Sequence, residues 1–369
     1  MSTTTRITID DEGDTLVILK LRSDDANPDV TENIATDDES TTETTATSNV
    51  TTNDAVQSED RPHTEKHFLC SKKHLSFASR RASKMFSSNF KEASKEEDGL
   101  HHWTFEALFQ PTAFEIVLNF IHGKTRDVPQ EVSVDLLADI ASIVDDLECH
   151  DALSFPGRNW LLKYSAFRLL LITNKSIYQI IHASFVFENS EAFKRATRLA
   201  IKSGTDIVPN FELPIRQSVI DSIQTKRVSI FQELMDELAD LQSKLLAQEA
   251  GPCTYGCRSM MLGTLIQGMN AARIWPPPLP PFPSLSISAV IISLFGIHLH
   301  TYFGPESGAD ASKFSGKWHR ATSSLPTQSQ EEPPTLVRHH CCLTEYLNPI
   351  LDAVEAEIEG LKLEEFTRP

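Results

Sequence analysis

Cysteine and histidine residues in the C-terminal half of the chain have the clearest potential for chemistry. Cys253 and Cys257 lie four residues apart, a spacing that places both thiols on one face of a helix. Residues 339–342 read His-His-Cys-Cys just before a predicted final helix. Because thiolate and imidazole groups bind Zn²⁺ tetrahedrally, the candidate ligands of a structural zinc ion are Cys253, Cys257, His340 and Cys342.

Buried thiols without a metal are the alternative explanation of these cysteines. Adjacent ligands chelate one ion poorly, and the separation of 84 residues from Cys257 to Cys341 carries no spacing signal. A small thiol also packs well in an apolar core. Apart from the candidate zinc ion, the sequence predicts no cofactor.

Catalytic motifs are weak along the whole chain. The GKT tripeptide at 123–125 is similar to part of a phosphate-binding loop, but Leu118 stands where such a loop needs its first glycine. Cys149 and His150 are neighbours, so on a helix their side chains point about 100° apart and do not form a nucleophile–base pair. The sequence therefore predicts a protein that is not an enzyme.

The N-terminal part of the chain is predicted to hold a small sheet surrounded by helices. Short apolar or alternating runs indicate strands at 14–21, 65–70 and 101–107. Pro111 is typical of a first helical turn, and Ser133 is typical of a helix N-cap. The first two strands form a predicted hairpin with an expanded turn.

That expanded turn is an acidic, threonine-rich insertion at about residues 23–62. Residues 24–60 carry eleven carboxylates and no Lys or Arg, within a net charge of −17 for the chain. Such a segment has too few large apolar residues to offset the entropy of ordering, which predicts disorder. An acidic surface repels phosphate backbones, so no nucleic-acid partner is expected.

The rest of the chain is predicted to be helical. It divides into a helical region at 166–272, a proline-rich irregular linker with a short apolar segment at 273–338, and a final docking helix within 339–369. The apolar segment, Leu285–Ile297, has 13 residues, too few to span a bilayer, so no membrane partner is expected. Cysteines in a chain without an export-signal pattern predict reduced thiols and a location in the cytoplasm or nucleus.

The order strand, strand, helix pair, strand, helix, helix, with FLCSKKHLSFAS at its centre, resembles a BTB/POZ domain. The residues that carry this resemblance are Phe68, His74, Leu75, Ser79, Phe86, Phe90, Lys91 and Glu92. Segments from VLNFIHGKTRDVPQEV to HHCCLTEYLNPIL resemble a group of fungal BTB/POZ proteins of unknown function. The acidic insertion departs from that pattern, as do residues 298–312, for which a misjudged exon boundary is a hypothesis.

The resemblance implies an α+β fold in which a BTB/POZ-like domain at 1–165 precedes a mostly α-helical region. It also implies protein partners and a homodimer. The predicted interaction surface comprises Leu16, Ile18, Phe68, His74, Leu75, Phe77, Phe86 and Phe90. We therefore expect a non-enzymatic scaffold or regulator. One alternative is a substrate adaptor with a cullin-type ubiquitin ligase as partner, and a second is an unrecognised enzyme with a site in the helical region.

Overall fold

The computed structural model describes residues 4–22, 64–164, 173–205, 213–247, 254–297, 302–305, 336–339 and 341–366. Helices and strands are mixed in this part of the chain, which divides into two compact units. The first unit comprises Met1–Lys163 and Val186–Glu188, and the second comprises Tyr164–Phe185 and Asn189–Pro369. The predicted acidic insertion and most of residues 298–312 lie outside the described residues.

A four-stranded sheet organises the first unit. Its strands, in spatial order, are β1 (Thr4–Thr8), β3 (Glu65–Cys70), β2 (Thr15–Lys20) and β4 (His101–Phe105). The central pair is antiparallel, with Val17 opposite Phe68, which confirms the predicted hairpin pairing. The edge strands β1 and β4 run parallel to their neighbours, and β1 was not predicted.

Helices of the first unit follow the predicted order. They are α1 (Lys72–Ala78), α2 (Arg80–Phe86), α3 (Pro111–Ile121), α4 (Val134–Asp146) and α5 (His150–Leu162). Ser133 N-caps α4 as predicted, since its Oγ accepts from the Leu136 N–H at 3.2 Å. The core lies between sheet and helices, where the ring centroids of Phe68 and Phe114 are 5.8 Å apart.

The second unit is mostly helical. Its elements are α6 (Asn174–Val186), α7 (Ser190–Ser203), α8 (Gln217–Leu246), α9 (Tyr255–Ala271), α10 (Ile287–Phe295), β5 (Tyr302–Pro305), β6 (Leu336–His339) and α11 (Thr344–Glu357). The long helix α8 packs against α7, α9 and α11. Its buried apolar stripe, which includes Ile223, Ile230, Leu234 and Leu238, therefore belongs to a bundle within the chain. No helix in the described part of the chain combines the length and apolar character needed to cross a membrane.

The proline-rich segment is packed on α8 rather than separate from the helices. It turns where the Phe282 N–H donates to the Leu279 carbonyl at 3.1 Å, and Phe282 has a positive φ of 57°. The Phe282 side chain is fully buried and stacks on Phe231 with 5.2 Å between centroids. The predicted linker at 273–338 therefore begins as part of the helical core, and its apolar segment forms α10.

The segment after α11 is bound to α7 by close backbone contacts. The Leu361 N–H donates to Thr197 Oγ1 at 2.9 Å in the interior. A Cβ atom placed on Gly360 would lie only 1.8 Å from the Lys194 carbonyl oxygen. Glycine is therefore required at this position, because any side chain would separate the C-terminal segment from α7.

Candidate functional site

The α1–α2 pair carries many of the predicted interaction residues and is anchored at two points. At the start of α1, the Lys72 N–H donates to Asp14 Oδ1 at 2.7 Å. Between the helices, Ser79 Oγ accepts from the Ala82 N–H at 2.9 Å and donates to the Leu147 carbonyl at 2.6 Å. Ser79 thus N-caps α2 and fixes it to the end of α4.

Four of the predicted interaction residues are core residues. Leu16, Phe68, Leu75 and Phe86 are 6%, 0%, 0% and 7% exposed. A side chain buried in its own unit cannot contact a partner in this conformation. These four side chains belong to the core between the sheet and the helices. The predicted interaction surface is therefore reduced to the other four residues of the set.

The exposed members of the predicted set are His74, Phe77 and Phe90, while Ile18 is partly buried. Phe77 is 93% exposed and Phe90 is 57% exposed. His74 precedes Phe77 by three residues on α1, so the two side chains are neighbours on its outward face. We call this pair, His74 and Phe77, the α1 surface.

A second histidine and a carboxylate support the α1 surface. His74 Nδ1 lies 3.6 Å from Asp10 Oδ2, and its ring centroid is 5.2 Å from that of His122. His122 Nε2 accepts from the Ser71 N–H at 3.0 Å, which leaves Nδ1 to donate to the Leu118 carbonyl at 2.8 Å. Burial lowers the pKa of His122 below its usual value. Both ring nitrogens of His122 bind the backbone, so His122 in this arrangement joins the start of α1 to the end of α3.

Basic residues of α2 are paired with carboxylates at the end of α4 and just after it. Arg81 forms an ion pair with Asp146, and Lys84 Nζ lies 3.3 Å from Glu148 Oε2. Burial raises the pKa of the Asp146 carboxyl above its usual value, although the Arg81 guanidinium beside it acts in the opposite direction. These pairs reduce the positive charge that α2 presents to a partner.

Two thiols of the first unit are buried and unreactive in character. Burial raises the pKa of the Cys70 thiol far above its usual range and that of Cys149 to about 12. Cys149 Sγ donates to the Val144 carbonyl at 3.8 Å, whereas His150 Nε2 lies 3.4 Å from Asp145 Oδ1. The adjacent Cys149 and His150 thus have different partners, as helix geometry predicts.

In the helical unit, Cys257 meets two residues from near the end of β6. Cys257, His339 and Cys341 each offer a ligand atom, and these atoms all lie within 4.8 Å of one another. Cys257 is buried, and the other two are partly exposed. His339 and Cys341 are two residues apart in the sequence.

The group of three residues around Cys257 differs from the predicted set of zinc ligands. Cys253 and His340 lie outside the described residues. Cys342 Sγ lies 2.7 Å from Thr344 Oγ1 at the start of α11 and is not a member of the cluster. Of the four predicted ligands, the structure therefore places Cys257 in this cluster and adds His339 and Cys341.

Arg227 is the most consequential residue that sequence reasoning missed. It is 1% exposed, and its guanidinium donates to five backbone carbonyls. These belong to Gly204, Thr205, Pro281, Phe282 and Leu285. The sequence did contain a signal, because Arg227 follows Ile223 by four residues and precedes Ile230 by three, in phase with the apolar stripe of α8.

Neither a family model, nor a curated protein, nor a solved structure matches this chain. The function proposed below therefore rests on the geometry of the described residues and on the sequence resemblance stated above.

Proposed function

We propose that the first unit is a BTB/POZ-like interaction module through which the chain forms a homodimer and acts as a scaffold or regulator without catalysis. The observation that carries the proposal is the 93% exposure of Phe77 on α1. Aromatic side chains are enriched in protein–protein interfaces. A folded helix that holds a phenylalanine in water therefore has a surface suited to a protein partner.

The order and pairing of the elements support this proposal. The antiparallel β2–β3 pair is followed by α1 and α2, and β4 then returns beside β2. This is the order on which the resemblance to a BTB/POZ domain depends. The resemblance implies that the first predicted strand, at 14–21, and the helix after the hairpin supply much of a dimer interface, and α1 is the helix that exposes Phe77.

The α1 surface supplies part of the free energy that association requires. In a dimer with two-fold symmetry, both chains contribute the same surface, so each of its contacts occurs twice. Burying one exposed phenylalanine stabilises by about 1.5–3 kcal/mol, so the two copies of Phe77 together contribute about 3–6 kcal/mol before ordering costs are subtracted. The remaining surface must supply the rest of the binding free energy.

The negative charge of the chain favours a protein partner over a nucleic acid. The net charge is −17, and Arg80, Arg81 and Lys84 each form an ion pair with a carboxylate. Nucleic-acid binding gains most of its affinity from cations that neutralise phosphates, and paired cations supply little of it.

The alternative function, a substrate adaptor for a cullin-type ubiquitin ligase, is favoured by a second exposed aromatic residue. Phe155 on α5 is 81% exposed and lies in the same unit as Phe77. A surface separate from α1 is suited to a heterologous partner that binds while the dimer persists.

Light scattering of the full chain across a wide concentration range tests the proposal. We expect a dimer, and we expect Phe77→Ser to raise its dissociation constant about 100-fold or more, because two buried aromatic rings are lost. Phe155→Ser is the matched control, since it removes another largely exposed ring from a different helix, and we expect it to leave dimerisation unchanged.

Two results would contradict the proposal. The first is a monomer at every concentration, and the second is equal dissociation constants for the Phe77→Ser variant and the unchanged chain. The adaptor function has a separate test. It is supported if the unchanged chain captures a purified cullin N-terminal domain and the Phe155→Ser variant does not.

A further inference from the structure

Three side chains that come from distant parts of the sequence converge in the helical unit. Cys257 belongs to the first turn of α9, His339 ends β6, and Cys341 lies just before α11. Their ligand atoms are all within 4.8 Å of one another. Two thiols and one imidazole are thereby grouped around one point.

Each position is fixed by local structure. Thr254 N-caps α9, where its Oγ1 accepts from the Cys257 N–H at 3.5 Å and donates to Cys257 Sγ at 3.6 Å. His339 is held by the pairing of β6 with β5, in which it lies opposite Tyr302. Leu343 is fully buried and fixes the chain that leads from Cys341 into α11.

We propose that Cys257, His339 and Cys341 bind a Zn²⁺ ion that joins the start of α9 to the chain entering α11. Thiolate sulfur and imidazole nitrogen are the preferred ligands of Zn²⁺. With Zn–S bonds of about 2.3 Å, tetrahedral ligand atoms lie about 3.5–3.8 Å apart. The observed separations therefore need side-chain movements of only about 1 Å or less.

The electrostatic setting of Cys257 also suits a cation held by thiolates. A helix N-terminus favours negative charge because its first N–H groups have no intrahelical acceptor, and Cys257 lies in the first turn of α9. The thiolate that binds the metal is stabilised at this position. A tetrahedral zinc ion takes four ligands, of which the described residues supply these three.

The role of this ion is structural. The final helix buries Leu347, Leu351 and Val354 and packs on α8, and the proposed ion adds a link between its entry point and the start of α9. A metal ion fixes this entry point, because its bonds exist only when the three ligands are brought together by folding.

The main competing chemistry is a disulfide between Cys257 and Cys341. Their sulfur atoms are close enough for a modest movement to bring them to bonding distance. The two outcomes are distinguishable, because zinc requires both cysteines as thiolates and excludes the disulfide. The zinc proposal is independent of dimerisation through α1, because all three ligands belong to the second unit.

The first test is the metal content of the full chain, purified under reducing conditions without a chelator and measured by inductively coupled plasma mass spectrometry. We expect about one zinc per chain. Cys257→Ser, His339→Ala and Cys341→Ser should each lower that ratio by about tenfold or more. Cys342→Ser is the matched control, because Cys342 neighbours a ligand but binds Thr344, and it should keep the full zinc content.

A second test does not depend on the folding of the variants. The unchanged chain is stripped of metal, reconstituted with Co²⁺ and examined for thiolate-to-cobalt charge-transfer absorption and tetrahedral d–d bands. We expect both signals, and we expect zinc to displace the cobalt. Chelator added to the zinc-loaded chain should lower the midpoint of thermal unfolding.

The proposal is overturned by either of two results. One is an unchanged chain that contains almost no zinc and gives no tetrahedral cobalt spectrum after reconstitution. The other is a disulfide-linked peptide joining Cys257 and Cys341 in chain purified without reductant from cells, since that bond uses both thiols.

Discussion

Arg227 Nη2 donates a hydrogen bond of 2.6 Å to the carbonyl oxygen of Phe282 in the interior of the helical unit. The ring of the same Phe282 stacks on Phe231, 5.2 Å away, and the Arg227 guanidinium lies 5.5 Å from the Phe231 centroid. Arg227 and Phe231 are one turn apart on α8. The carbonyl and the ring of one residue in the proline-rich segment thus both bind α8, and this explains why the segment folds onto it.

Replacement of Arg227 by methionine should lower the free energy of unfolding by about 3–5 kcal/mol, because buried carbonyls lose the charged group that satisfies them. Urea unfolding followed by circular dichroism measures this change. Arg198→Met is the control, since Arg198 is exposed on α7 and should change stability by about 0.5 kcal/mol or less. Equal stabilities of the two variants would refute the importance of the Arg227 contacts.

Ser79→Ala should destabilise the first unit by about 1–2 kcal/mol. The variant loses the N-cap of α2 and leaves the Leu147 carbonyl without the hydroxyl that donates to it. Ser83→Ala, an exposed position in the same helix, should be neutral or slightly stabilising, because alanine has the higher helix propensity. Thermal unfolding of both variants makes the comparison, and a Ser79→Ala midpoint no lower than that of Ser83→Ala contradicts the expectation.

Two glycine-to-alanine substitutions should have opposite effects. A Cβ at Gly157 in α5 would lie 2.2 Å from the Phe187 ring, whereas a Cβ at Gly263 in α9 would meet nothing within 4 Å. Gly157→Ala should therefore destabilise by about 1–3 kcal/mol through overpacking, and Gly263→Ala should stabilise by about 0.5–1 kcal/mol through helix propensity. Urea midpoints of the two variants test the sign, and a stabilising Gly157→Ala would be inconsistent with the observed packing.

The stability of the first unit should fall as the pH is lowered through about 6.5, the unfolded-state pKa of histidine. Burial lowers the folded-state pKa of His122, so the unfolded chain binds a proton at a pH where the folded chain does not. Protonation therefore favours unfolding. His122→Gln removes this titration, and its urea midpoint should depend less on pH between neutral and mildly acidic conditions. A pH dependence identical to that of the unchanged chain would exclude His122 as a source.

Cys70 and Cys149 should resist alkylation while the chain is folded. Burial raises the pKa of both thiols, to about 12 for Cys149, and the thiolate is the reactive form. Cys342 is partly exposed and should be labelled by iodoacetamide at pH 8 well before them. Peptide mass spectrometry before and after addition of denaturant measures the difference, and fast labelling of Cys149 in the native chain would contradict its burial.

The sequence was sufficient where structure depends on local signals. Pro111 and Ser133 mark the beginnings of α3 and α4, and both helices begin at these signals. It was not sufficient for β1, because Thr4–Thr8 is polar and largely exposed and becomes a strand only by pairing with β3, far along the chain. A non-local pairing of this kind leaves little trace in the patterning of either segment.

The candidate sites show the same limit at the level of single residues. Leu75 and Phe77 are two residues apart on α1, yet Leu75 is fully buried and Phe77 is 93% exposed. Which face of a short helix is buried depends on the elements that pack against it. The group around Cys257 likewise contains His339 and Cys341, whereas the sequence pointed to His340 and Cys342. The sequence indicated that cysteine and histidine side chains could group here, but which of them meet depends on packing between segments far apart in the chain.

The hydrogen bond from Leu361 to Thr197 has a consequence for protein synthesis. The ribosome synthesises Thr197 long before Leu361. The C-terminal segment can therefore bind α7 only after most of the remaining chain has been made. Throughout that interval, apolar surfaces of the incomplete helical unit are available to chaperones and to aggregation. Completion of this unit is therefore a late event that follows translation of its last elements, whereas the sheet and helices of the first unit can form while the rest of the chain is still being made.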